Sequence, residues 1–107
     1  MKNNVIIFEP VKSVIDTSSA KEFGDVVTMF KQGERRCSVF STDKFQDLVI
    51  TKLKRMRYNP ETDYICVVGT MVTVSVGLIA IARHYKKFKI LLYSSTESRY
   101  VERTIKE

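Results

Sequence analysis

Hydrophobic and polar positions along the chain fall into runs of two kinds. Five runs are short and rich in β-branched or aromatic residues: Asn4–Pro10 (NVIIFEP), Asp25–Phe30 (DVVTMF), Tyr64–Val68 (YICVV), Phe88–Tyr93 (FKILLY) and Arg99–Ile105 (RYVERTI). Runs of this length, bounded by turn residues, predict strands. The first four are almost continuously apolar, as in parallel strands covered on both faces. Arg99–Ile105 alternates polar with apolar, as in a half-exposed antiparallel strand beside the fourth.

Two longer runs have the length of globular helices. In the first, Phe45, Leu48, Val49, Leu53 and Met56 recur at helical spacing, while Lys44, Asp47, Thr51, Lys54 and Arg55 point elsewhere. Ser41 or Thr42 suits the N-cap, Asp43 complements the dipole in the first turn, and Pro60 in YNPETD breaks the run. The second, Met71–Tyr85, is apolar nearly all round, so it is buried on more than one side. Gly69-Thr70 separates it from the strand before it, glycine suiting the turn and threonine the cap. Ser18–Phe23 predicts a short helical turn ended by Gly24. Without that turn, the first two strands pair antiparallel instead of parallel. Residues 31–40 read as a loop around Gly33 with an extended piece at Cys37–Phe40.

The order strand, helix, strand predicts an α/β fold: a small, mainly parallel sheet of βαβ units flanked by helices, with a C-terminal antiparallel edge strand. At 107 residues the chain makes one domain, residues 1–107. One competing reading concerns Ile65–Ala82, eighteen residues without a charge. That meets the length criterion for a single membrane span, and basic residues flank it. The Gly69-Thr70 break and the strand that follows favour a strand and a helix inside a water-soluble domain.

Charge adds a second layer. Lysine and arginine total 18 against 12 acids, a formal net charge of +6. Lys52, Lys54, Arg55 and Arg57 end the first helix, and Arg83, Lys86 and Lys87 end the second. In parallel βαβ topology both helix ends fall at one pole of the sheet. Such a basic pole suits phosphate contacts with nucleic acid, or an acidic protein. At the opposite rim, Gly69 and Thr70 open a helix N-terminus, where free N–H groups favour anions. Glu9, Lys31, Ser94 and Ser95 are expected on that rim, a candidate nucleotide or phosphate site. No GxGxxG or GxxxxGK[ST] motif accompanies it.

No catalytic set assembles from neighbouring residues. His84, the single histidine, sits among basic side chains, and Asp16, Ser18 and Ser19 meet Cys37 only through folding. No CxxC or Cys/His cluster indicates a metal, and no cofactor motif is present. Cys37 and Cys66 are too few for a disulfide framework, and MKNNVIIFEPVK has too short an apolar run for a signal peptide. Both point to a reducing, cytoplasmic setting. Thr73, Gly77 and Ala80 form a small-residue stripe along the second helix toward His84. A close helix contact is expected there, inside the domain or across a homodimer.

Three stretches, AKEFGDVVTMF, DYICVVGTMV and LLYSSTESRYVERTI, resemble small uncharacterised bacteriophage-encoded α/β proteins. The resemblance implies a viral accessory role, in the host cytoplasm, and no chemistry. The residues themselves favour a non-enzymatic binding module working through the basic pole. A nucleotide- or phosphate-ligand protein using the Gly69-Thr70 rim and a single-span membrane protein are the alternatives.

Overall fold

The computed structural model describes residues 3–9, 18–30 and 42–106. Its elements are β1 (Asn4–Ile7), a 3-10 helix (Ser18–Glu22), β2 (Asp25–Thr28), α1 (Thr42–Arg55), β3 (Tyr64–Cys66), α2 (Met71–His84), β4 (Lys87–Ser94) and β5 (Arg99–Lys106). The five strands form one sheet in the order β2-β1-β3-β4-β5. β1 pairs parallel with β2 and β3, β3 pairs parallel with β4, and β5 closes the sheet antiparallel to β4. The small α/β architecture with a mainly parallel sheet and an antiparallel last strand is the one expected from the sequence. The first two strands are parallel, with the 3-10 helix between them.

Side chains alternate across β1 and sort the core into two layers. Ile6 and Phe8 join Phe45, Val49, Leu53, Ile65, Val74, Ile81, Phe88 and Ile90, so both α-helices cover the first face. Val5 and Ile7 join Ala20, Tyr64, Cys66, Leu91 and Tyr100 on the second face, which the 3-10 helix overlies. The chain moves outward from β1 to β2, then returns over β1 to β3. Keeping each crossover right-handed requires the covering segment to change faces where that direction reverses. The 3-10 helix and α1 do lie on opposite faces.

Strand lengths differ from the sequence reading in detail. β3 ends at Cys66, and Val68, expected inside it, is only half-buried because the chain already turns there through a Val68 N–H···Cys66 O bond of 3.0 Å. β1 and β2 also end earlier, although Met29 N–H and Phe30 N–H still donate to Ile7 O and Phe8 O at 2.8 and 3.0 Å. On α1, Leu48, expected on the apolar face, is 37 % exposed, while Ile50, which was not assigned to that face, is buried. The buried arc from Phe45 through Leu53 to Ile50 spans about 140° at ~100° per residue, and Leu48 lies about 60° outside it. That arc is shifted because α1 packs against α2 as well as the sheet. Residues 31–40, expected from the sequence as a loop and including Lys31 and Cys37, lie outside the described residues, as do Asp16 and Ser41.

The stripe Thr73, Gly77, Ala80 is closed inside the domain. All three are buried, and the ring of fully buried Phe8 lies against Gly77 where a side chain would be. A second copy meeting α2 would instead touch Met71 and Ile79, which are 84 % and 53 % exposed. Gly77→Ala isolates this contact. Alanine gains about 1 kcal/mol of helix propensity, but its Cβ would stand 2.7 Å from Phe8 Cζ. Overpacking of a rigid ring costs about 1–3 kcal/mol, so urea denaturation should show a net loss. Adding Phe8→Leu should recover part of it. A midpoint at or above the parent's would mean that the ring yields freely.

Candidate functional site

The strand order makes β1 and β3 the point where the chain's path across the sheet reverses. In open parallel sheets, ligands gather there, beyond the carboxyl ends of the strands. Gly69 and Thr70 lie at this rim, as expected, with Gly69 at φ +137°, a conformation that costs glycine little. The rim is occupied by the protein itself. Glu9, two residues past β1 and 8 % exposed, accepts a 2.6 Å hydrogen bond through Oε1 from Thr70 N–H. Thr70 is the N-cap of α2, yet its side chain makes no capping bond; its hydroxyl donates to Thr73 Oγ1 at 2.9 Å. In a capping box, a glutamate three residues into the helix bonds the N-cap N–H. Here Thr73 holds that position and Glu9 supplies the carboxylate from 61 residues away. Ser94 Oγ accepts from Glu97 N–H at 3.2 Å within the β4–β5 turn, and Ser95 is exposed in that turn. The positive end of α2 therefore already faces an anionic group.

The opposite pole carries the charge. Tyr58, just past α1, and Tyr85, the C-cap of α2, meet edge to face with centroids 5.2 Å apart. This ring pair sets the two helix ends side by side. Lys54, Arg55, Arg57, Lys86 and Lys87 are exposed around it. Two of the expected basic residues are turned aside. Lys52 is half-buried with Nζ 4.9 Å over the Phe30 ring, and Arg83 donates through Nη1 to Gln46 Oε1 at 3.0 Å, back along α1.

α1 ends in a Schellman turn: Tyr58 N–H bonds Leu53 O at 3.0 Å and Arg57 N–H bonds Lys54 O at 3.1 Å. The C′ position of this turn is left-handed and normally glycine, but it is Arg57, at φ +56°. The Tyr58 hydroxyl is buried and finds no hydrogen-bond partner among the described residues, and burial raises its pKa, with the nearby Tyr85 and Asp63 acting in the same direction. Beneath the pole, buried Asp63 accepts from Asn4 N–H through Oδ1 at 3.0 Å and from Asn59 N–H through Oδ2 at 2.9 Å.

Glu9's role as a cap and the Tyr58–Tyr85 contact had no local sequence signal. Each joins segments far apart in the chain. The one available hint is that each tyrosine stands near the end of a helical run, Tyr58 at the start of YNPETD and Tyr85 as the last residue of Met71–Tyr85.

Cys66 is fully buried. Burial pushes its thiol up to about 11, against a lesser opposite pull from a hydrogen bond with Tyr100. It is a packing residue. His84 ends α2 and is exposed. Among the described residues, no group of three or more His, Cys, Asp or Glu side chains is placed to hold a metal ion. Among the same residues, no helix is long and apolar enough to cross a membrane, and Ile65–Ala82 is divided into a strand, a turn and a helix.

Fold and site together define a small α/β protein with a mainly parallel sheet, in which Glu9 bonds the N-terminus of α2 at one rim and exposed cations lie near the C-terminal ends of α1 and α2. The chain belongs to a family of phage proteins, the Phage Pam3 gp32-like proteins, which it matches over residues 8–107. Comparison with curated proteins and with solved structures finds no match.

Removing the Glu9 carboxylate should leave the start of α2 without its cap. Glu9→Ala is expected to lower stability by about 1.5–3 kcal/mol, the range for a hydrogen bond to a charged group. Glu9→Gln, which keeps an acceptor oxygen, should recover much of the loss in urea titrations. A Glu9→Ala protein as stable as the parent would remove the cap from the description.

The raised Cys66 pKa has a defined pH consequence. The folded state holds the thiol proton more tightly than the unfolded chain, so this contribution is fully present below the unfolded value of about 8.5. It is lost as pH rises through about 11. In a Cys37→Ser background, a thiol reagent at pH 8 should leave the native protein unlabelled and label it in urea. Rapid labelling without denaturant would contradict burial of Cys66.

Proposed function

We propose that this protein is a non-enzymatic phage accessory module that binds nucleic acid through its basic pole, in the cytoplasm of the infected host. The observation that carries this reading is the Tyr58–Tyr85 contact, which brings together cations about thirty residues apart in sequence. Two further features support it. Glu9 places a carboxylate at the rim where a phosphate would otherwise meet α2, which disfavours the nucleotide-rim alternative. Arg57 stands where glycine would relieve the backbone, at a cost of about 1–2 kcal/mol for a left-handed non-glycine residue. Keeping a charged side chain in such a position suits a surface whose charge is used.

Binding of this kind releases counterions, so affinity falls steeply with salt. Lys54→Glu with Arg55→Glu, and separately Lys86→Glu with Lys87→Glu, should weaken binding to DNA or RNA and flatten the salt slope. These side chains are exposed, so the fold should persist. Arg57→Gly is the sharpest variant: it should raise stability by up to about 1 kcal/mol as strain is relieved, yet reduce affinity. Filter binding with single- and double-stranded DNA and with RNA, across a salt series, reads both effects. Absence of binding to all three at low salt would exclude nucleic acid and turn attention to an acidic protein on the same pole.

A further inference from the structure

On the second face of the sheet, near the basic pole, Pro60, Glu61, Lys87, Lys89 and Thr104 line a cavity of about 420 Å³. The strand register explains why these groups converge. Lys87 and Lys89 are two residues apart on β4, so they share a face about 7 Å apart. Across the antiparallel β4–β5 ladder, Thr104 stands opposite Lys89 and Lys106 opposite Lys87. One face of the two-stranded end therefore presents three lysines and a hydroxyl, against two carboxylates: Glu61 on the facing loop and Glu102, two residues before Thr104 on β5 and engaged by the Tyr64 hydroxyl.

Lys89 is not a loose surface cation. It is half-buried, with Nζ 4.3 Å above the centre of the Tyr64 ring. That ring is fixed in turn: its hydroxyl donates to Glu102 Oε1 at 3.1 Å, and Phe23 packs edge-on at 5.4 Å. A cation held over an aromatic ring is pre-positioned and loses little freedom when an anion arrives.

We propose that this cavity binds a nucleoside monophosphate unit. Lys87 and Lys89 take the phosphate as charge-assisted donors, and the Thr104 hydroxyl donates to the same group. Glu61, an acceptor, suits sugar hydroxyls or a base amine, and the Pro60 ring offers an apolar surface to the sugar or base. The volume is within the ordinary range for small-ligand sites, about 300–1,000 Å³. The unit is either a free nucleotide or one nucleotide of a single strand. Only the strand-borne form rests on the basic-pole reading above, to which Lys87 also belongs.

The test is titration of the isotope-labelled full chain, followed by backbone amide shifts. The probes are uridine and adenosine 5′-monophosphate, with uridine and inorganic phosphate separately, then a single-stranded pentanucleotide. Saturable shifts at Lys87, Lys89 and Thr104 are expected with the monophosphates, larger than with either part alone. Lys87→Met and Lys89→Met should each raise the monophosphate Kd about tenfold, while Lys44→Met, an exposed position in the first turn of α1, leaves it unchanged. Lys87 is exposed, so its variant keeps the test valid if Lys89→Met fails to fold. Weakening of monophosphate and pentanucleotide together assigns the site to a strand; weakening of the monophosphate alone assigns it to a free nucleotide. Loss of polynucleotide binding at the pole with these shifts intact would sink the pole reading and leave the cavity standing. No shifts at millimolar monophosphate, or shifts unaltered in both lysine variants, would overturn the proposal.

Discussion

Two carboxylates hold the centre of the sheet together. β1 and β3 are paired over only two residues in register, Val5 with Tyr64 and Ile6 with Ile65, yet every other element is arranged around this seam. At its amino end Asp63 accepts the N–H groups of Asn4 and Asn59; at its carboxyl end Glu9 accepts the N–H of Thr70. Asp63 takes the N–H groups of the first residue of β1 and of the connection before β3, and Glu9 takes that of the α2 N-cap, so backbone donors outside the short ladder find partners. β1 is thus fixed at both ends to the segments flanking β3. The helices on the first face and the 3-10 helix on the second can then pack on a rigid base.

Glu9 places a carboxylate at the carboxyl ends of the strands, where a fold of this topology ordinarily takes a ligand. The exposed cations of the two helix ends lie at the other end. There the chain accepts two local penalties, Arg57 in a left-handed backbone conformation and a Tyr58 hydroxyl buried without a partner among the described residues. A surface formed by two helix ends and one strand end is assembled by tertiary structure, so each part is unremarkable when read by itself.

Much of the fold could be read from the chain because its determinants are local. The break at Gly69-Thr70 separated β3 from α2, and the alternation in Arg99–Ile105 marked β5 as antiparallel. Helix-end charge was equally visible for Lys54, Arg55, Arg57, Lys86 and Lys87. What escaped the reading depends on partners. Leu48 turns outward and Ile50 inward because α2 shares the cover of α1, and Lys52 and Arg83 leave the pole for Phe30 and Gln46. Thr70 was expected to cap its own helix, but the acceptor comes from the far end of β1. The cavity beside Lys89 arises from the register of two strands, which no spacing along the chain reveals.

The clamp on β1 has a kinetic side. The Asn4–Asp63 and Thr70–Glu9 bonds each close a loop of about sixty residues, with separations of 59 and 61. Closing one such loop in a flexible chain costs on the order of 4 kcal/mol of configurational entropy. The loops are nearly the same loop, because their ends are joined by the short rigid spans of β1 and β3. Once either bond has formed, the second adds little further loss. Formation of either bond therefore favours the other, and the β1–β3 seam is fixed only when β3, about sixty residues further along the chain, reaches β1.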